Sequence, residues 1–268
     1  LSTHRSIAPR FTADDLDRLV VLFQPQVDLV TGRVWGMEAL ARMREDGGRL
    51  QLPPEFLDSF GHAATARLLS ASVLAQTLAM CRLCLDHDMP LRVSLNVSGL
   101  EMADPMFHVQ FLATVAASGV PPQMLGIELT EHDMIEDAEA AAENLFVLSE
   151  SGVSIALDDL GVGYSSLQYL AMLPADCLKL DRVFVQGMIA NARFSAVVAS
   201  LLKLAEQLGM EVIAEGVETP TQEAALLAIG CRYVQGFRYC SAIRAETVPS
   251  FVRAFERADP QLILAHLA

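Results

Sequence analysis

Basic residues are scarce in this chain, as are cysteines, long apolar runs and repeats. Its 268 residues hold 19 lysines and arginines against 33 aspartates and glutamates, a formal charge of −14. A surface of that sign repels a nucleic-acid backbone and excludes a non-specific DNA or RNA binder. The five cysteines are unevenly spaced in a chain too long to need a disulfide scaffold. Cys81-x-x-Cys84 has no second pair to complete a zinc site, and its apolar helix pattern reads as packing. No uninterrupted apolar stretch reaches membrane-spanning length, and no charged-then-apolar segment opens the chain. The expectation is a cytoplasmic protein, or the cytoplasmic part of a larger sensor, with no membrane contact from this segment. The sequence opens on Leu1 rather than Met, so residues 1–18 are read as linker, 19–258 as one barrel domain and 259–268 as a tail.

What is present is apolar and regularly divided. Hydrophobic residues make up 52% of the chain, enough to fill the core of one large domain. Eight apolar runs have strand length, at 20–24, 33–38, 91–96, 125–130, 154–158, 177–180, 211–214 and 232–235. Helical periodicity is clearest over 63–85, 138–151, 195–208, 222–229 and 247–258. Gly152, Gly209 and Gly230 each stand where a helix ends before a strand. This alternation predicts an α/β fold, a TIM-like (βα)8 barrel. The first connection breaks the pattern, because Gln24 and Arg33 are too close for a crossover helix and Thr31-Gly32 signals a turn. One strand is therefore expected to run antiparallel in an otherwise parallel barrel.

Polar residues gather at the downstream ends of these runs: Glu38, Asn96, Glu128, Asp158-Asp159, Lys179, Glu215 and Gln235. In a parallel barrel the strand C-termini converge on the active site. Carboxylates crowded there are costly without cations, so the set points to a divalent-metal site for phosphoryl chemistry. Residues two apart share a face of a strand. Gly36, Ser94, Gly126, Ala156 and Cys177 thus lie beneath five of the polar tips and leave room for them to fold inward.

In this order the residues resemble the EAL family of cyclic-di-GMP phosphodiesterases. The resemblance is carried by Gln24-Pro25, Glu38-Ala39-Leu40-Ala41-Arg42, Asn96-Val97-Ser98, Glu128-Leu129-Thr130-Glu131 and Asp158-Asp159-Leu160-Gly161-Val162-Gly163. It continues through Lys179-Leu180-Asp181, Glu215-Gly216-Val217-Glu218 and Gln235-Gly236-Phe237. The resemblance implies a barrel with one antiparallel strand, and hydrolysis of cyclic-di-GMP to linear pGpG by a water activated between two Mg²⁺ or Mn²⁺ ions, with inhibition by Ca²⁺. It implies that Glu38, Asn96, Glu128, Asp158, Asp159 and Glu215 hold metal. Lys179, Glu215 and Gln235 would be catalytic, with Lys179 orienting or deprotonating the water and Gln235 positioning a metal-bound water or Glu215. Arg42 would bind a substrate phosphate, Gln24 another part of the ligand, and Glu131 would anchor the loop after Asp159. Asp181 and Glu218 read as supports, and a homodimer is expected. The chain departs from the family where Leu160 and Val162 replace Phe and Thr, and at Met43, Ser59-Phe60 and Ala242. The altered loop keeps a second reading open, a cyclic-di-GMP receptor or signalling module with little turnover.

Overall fold

The computed structural model describes residues 13–53, 63–130, 138–158 and 170–257. Its strands are β1 (Leu19–Asp28), β2 (Arg33–Arg44), β3 (Leu50–Gln51), β4 (Arg92–Asn96), β5 (Leu125–Thr130), β6 (Ser154–Asp158), β7 (Cys177–Leu180), β8 (Glu211–Ala214), β9 (Tyr233–Gln235) and β10 (Ile243–Arg244). The helices are α1 (Ala63–Asp86), α2 (Gly99–Met102), α3 (Phe107–Ser118), α4 (Ala138–Glu150), α5 (Arg182–Ala190), α6 (Ala192–Leu208), α7 (Pro220–Ala228) and α8 (Val248–Arg257).

The strands β1, β2, β4, β5, β6, β7, β8 and β9 pair in a closed ring. All of these pairings are parallel except those of β1, which is antiparallel to both β2 and β9. The cause is the short turn foreseen in the sequence. Asp28 accepts hydrogen bonds from the Val30 and Thr31 amides at 2.9 and 3.3 Å, and Gly32 takes a positive φ of 66°. The chain thus reverses within four residues instead of crossing over.

Four strands differ in their boundaries from expectation. β1 spans Leu19–Asp28 rather than 20–24, and β4 starts at Arg92 rather than Leu91. β2 runs six residues past Glu38, because its hairpin with β1 pairs as far as Leu19 and Met43. Glu38 is therefore a mid-strand residue, not a tip. β9 starts at Tyr233 rather than Arg232. Three helices also escaped the periodicity. In α3 the inward positions Phe111 and Val115 are flanked by alanines and an exposed Val109, so the contrast between its faces is faint. α5 spans nine residues, with Asp181 capping it through the Val183 amide at 2.7 Å, and α2 spans four.

Among the described residues α1 is long and apolar enough, by length and composition alone, to cross a membrane. Its apolar content is used against the barrel, where Leu69, Val73, Leu74, Leu78, Met80, Cys81 and Cys84 are buried. Burial pushes the Cys81 and Cys84 thiols up to about 12 and 11, so the Cys-x-x-Cys pair packs as neutral side chains.

Most of the core lies between the barrel and its helices. A separate small cluster of Ala156, Cys177, Ile213 and Tyr233, with Trp35 against it, fills the barrel interior. Arg92 lies over the Trp35 ring and Arg232 over Tyr233, each 5.1 Å from the centroid. Arg232 also pairs with Asp28 at 2.7 Å. This plug closes the lower part of the barrel, and Asp158, Lys179, Glu215 and Gln235 follow its four members two residues further along the chain, on the same face.

Candidate active site

Strand alternation brings the predicted residues inward. Glu38 pairs across the sheet with Ser94 and Gln24, Asn96 with Glu128, and Gln235 with Gln26. The centre is the ammonium of Lys179, only 1% exposed. It bonds Glu128 and Glu215, the latter at 2.6 Å, and stands 3.1 Å from Asp158 and 3.5 Å from Glu38. Four acidic side chains from four parts of the barrel thus share one cation.

Their partners separate their electrostatics. Burial raises the Glu38 carboxyl, but Lys179, the Gln235 amide at 2.6 Å and the Asn96 amide at 3.1 Å outweigh it and leave Glu38 below the usual carboxylate range. Glu128 goes the other way. Its burial and the charge of Glu38 push it well up, although Lys179 and the Ser94 hydroxyl both bond it. Glu215 is raised to about 7 by burial and by Asp158, against the pull of Lys179. Burial pulls Lys179 down, yet Glu128, Glu215, Glu38 and Asp158 together hold it well above its ordinary value. The site therefore favours a charged Lys179 and a charged Glu38, and raises Glu128 and Glu215 because one ammonium is too little countercharge for the whole ring.

That imbalance is the test of a metal site. Among the described residues no three acidic, histidine or cysteine side chains stand arranged around one metal position; the carboxylates close on Lys179 instead. The donors nevertheless fit a hard divalent cation. They are carboxylate and amide oxygens, with charge in excess of what Lys179 offsets. Asn96 Nδ2 is committed to Glu38, which leaves its oxygen for a cation.

A cavity of about 260 Å³ opens over this cluster. Glu38, Asp158, Lys179, Glu215 and Gln235 line it, together with Gln24, Leu40, Arg182, Glu218 and Phe237. Phe237 is 70% exposed, and its loop is held by Arg238 and Tyr239, both bonded to Glu223 of α7 at 2.6 Å. Gly216 has a φ of 68° and lies so close to Arg182 that a Cβ there would collide with it. Arg42 shares the face of Glu38 and Leu40 but lies beyond the cavity lining, with its guanidinium bonded to the Ala41 carbonyl at 2.7 Å. Asn96 lines a neighbouring cavity of about 160 Å³ bounded by α1 and α3.

The structure thus unites Glu38, Asn96, Glu128, Asp158, Lys179, Glu215 and Gln235, with Gln24 beside Gln235 at 3.2 Å. Gln235 meets Glu38, Gln24 and Gln26 rather than Glu215. Asp159, Glu131, Leu160, Val162 and Ser59-Phe60 lie outside the described residues. Sequence reasoning passed over Gln26, Arg182 and the hydrogen-bonding role of Ser94. Gln26 could have been found, since it stands two residues from Gln24 and so shares its face.

Comparison with known proteins gives this site a family. The profile described as EAL domain matches residues 10–242. A curated relative, cyclic di-GMP phosphodiesterase PA2567 of Pseudomonas aeruginosa, is 34% identical over 233 residues, which is 87% of this chain and 40% of that protein. The chain therefore spans well under half of that relative. Among solved structures, the PaMucR phosphodiesterase in complex with c-di-GMP superposes with a TM-score of 0.82 at 32% identity, covering 88% of this chain and 96% of that one. The Klebsiella pneumoniae BlrP1 calcium/cy-diGMP complex superposes with a TM-score of 0.75 at 27% identity, covering 88% and 58%.

Proposed function

Because this chain belongs to the EAL domain family, we propose that it hydrolyses one phosphodiester bond of cyclic-di-GMP to give linear pGpG. The observation that carries this reading is the buried Lys179 ringed by Glu38, Glu128, Asp158 and Glu215. Such an acidic cluster admits an anionic phosphodiester only when further cations neutralise it. Mg²⁺ or Mn²⁺, most simply two ions, would be held by Glu38, Asn96, Glu128, Asp158, Asp159 and Glu215. Bound there, they supply charge neutralisation at the phosphate and acidify a water.

The remaining work falls to the chain itself. Glu215, on the cavity lining and 2.6 Å from Lys179, is placed to take a proton from the attacking water. Lys179, held charged, serves as a donor to the developing negative charge rather than as the base. Ser94 and Lys179 fix Glu128 from two sides, and Asn96 and Gln235 fix Glu38. At the mouth, Phe237 offers a stacking face to a base and Arg182 a cation to a phosphate. The same reading includes a homodimer and a cytoplasmic setting.

A receptor with little turnover is the second reading, favoured by Leu160 and Val162 in the loop that follows Asp158-Asp159. Incubation with cyclic-di-GMP and Mn²⁺, followed by chromatography, separates the two. Linear pGpG, abolished by EDTA, supports hydrolysis. Unchanged dinucleotide retained on the protein supports the receptor and sinks the hydrolytic reading.

A further inference from the structure

We propose that Gln26 is a positioning residue for this site, fixing which end of the Gln235 amide faces Glu38. The inference rests on the hydrolytic reading above. Gln26 lies on the antiparallel strand β1, 2% exposed, with Gln235 of β9 as its Cα neighbour on one side and Gly36 of β2 on the other.

Its Nε2 donates to Gln235 Oε1 at 3.1 Å. Gln235 Nε2 in turn donates to Glu38 Oε2 at 2.6 Å and to Gln24 Oε1 at 3.2 Å, and Gln24 Nε2 donates to the Cys240 carbonyl at 3.2 Å. Two groups in this chain of bonds, the Glu38 carboxylate and the Cys240 carbonyl, can only accept. They fix the direction of every amide between them. Gln24 must turn its nitrogen to Cys240 and its oxygen to Gln235. Gln235 must turn its nitrogen to Gln24 and Glu38, leaving its oxygen to Gln26. Only a donor at position 26 completes that order.

The room for this donor comes from Gly36. A Cβ at that position would stand 3.0 Å from Gln26 Oε1 and 3.1 Å from the Arg92 carbonyl oxygen. The gap beneath Glu38 noticed in the sequence is thus where the Gln26 amide reaches. Without Gln26, the Gln235 oxygen is left buried without its donor and the amide loses its fixed orientation, which loosens one oxygen of Glu38.

The test is a double-mutant cycle on the full chain, comparing wild type, Gln26→Met, Gln235→Met and the double variant. Mn²⁺ binding is titrated by calorimetry, and cyclic-di-GMP turnover is measured beside it. Gln26→Met should weaken Mn²⁺ binding about fivefold, the size of one lost hydrogen bond. It should lower kcat while leaving KM within about twofold. In the Gln235→Met background it should add nothing, because its effect passes through Gln235. Gln26→Glu, which accepts where Gln26 donates, should be worse than Gln26→Met. If Gln26→Met fails to fold, Gly36→Ala crowds the same amide from the opposite strand and should give the same weakening of Mn²⁺ binding. Losses that multiply in the double variant, or a Gln26→Met protein indistinguishable from wild type, would overturn this inference alone. A wild type that neither binds Mn²⁺ nor turns over cyclic-di-GMP would overturn the hydrolytic reading and this inference with it.

Discussion

Glu215 offers a measurable consequence of crowding carboxylates around one lysine. Its carboxyl stands at about 7 in the folded protein against an ordinary value of 4.5. Between those values the folded state binds more protons than the unfolded state, so stability falls as pH rises through that window. A gap of this size corresponds to about 3 kcal/mol, reached in full once the pH exceeds 7. Glu128, also raised, acts in the same direction. For a chain of this size, 3 kcal/mol amounts to roughly 6–12 °C in Tm. The assay is thermal unfolding followed by circular dichroism in EDTA at pH 5.5, 7 and 8.5, for wild type and Glu215→Gln. The variant cannot titrate at that position, so its decline between pH 5.5 and 8.5 should be shallower by about 2 kcal/mol, the part of the window lying above pH 5.5. Saturating Mn²⁺ should recover the loss in wild type at pH 8.5, because a divalent cation takes the place of the proton. Parallel declines for wild type and Glu215→Gln would show that this carboxyl does not hold its proton, and would refute the electrostatic account.

Other consequences follow from the same structure. Glu128→Gln keeps the side-chain shape beside Ser94 but replaces a carboxyl that would hold a cation with an amide; it should cut turnover by more than about a hundredfold, beyond what losing an outer partner of a metal site costs, with the dichroism spectrum unchanged. Arg42→Ala should weaken cyclic-di-GMP binding measured in Ca²⁺ more than it weakens Ca²⁺ binding itself, since a guanidinium fork matches phosphate geometry; an unchanged dinucleotide affinity would remove Arg42 from the site. Asp28 tests the barrel rather than the chemistry. Burial raises its carboxyl, but the Arg232, Val30 and Thr31 bonds bring it down to about 2 from an ordinary 3.8. Its stabilising contribution is therefore complete above pH 4 and lost as the pH falls through 2, so Asp28→Asn should cost about 1–2 kcal/mol at pH 7 and progressively less in acid; a cost that persists at pH 2 would contradict this.

Much of the fold was legible because two simple periods governed it. The barrel strands were recognisable as apolar runs of strand length, and the antiparallel β1 followed from the few residues between Gln24 and Arg33. What escaped had physical causes. The hairpin of β1 and β2 outruns the barrel rim, and no local signal distinguishes Arg42, Met43 and Arg44 from a loop after Glu38. α3 hid because its outward face is almost as apolar as its inward face. In the site, position at or just past the end of a strand was enough to gather Asn96, Glu128, Asp158, Lys179, Glu215 and Gln235, whereas Glu38 joins them from the middle of β2 through strand alternation. Hydrogen-bond order was not legible. That Gln235 serves Glu38 rather than Glu215, and that Ser94 is a donor and not merely a small residue, depends on which strands neighbour one another around the ring.

The central claim is that a water attacks a phosphodiester over this acidic cluster. Turnover of cyclic-di-GMP by the wild-type protein with Mn²⁺ in ¹⁸O-enriched water, read by mass spectrometry, tests it most directly. Linear pGpG carrying a single ¹⁸O in its terminal phosphate is the expected product. Cyclic-di-GMP bound but unconsumed, or a linear product without the label, would contradict it.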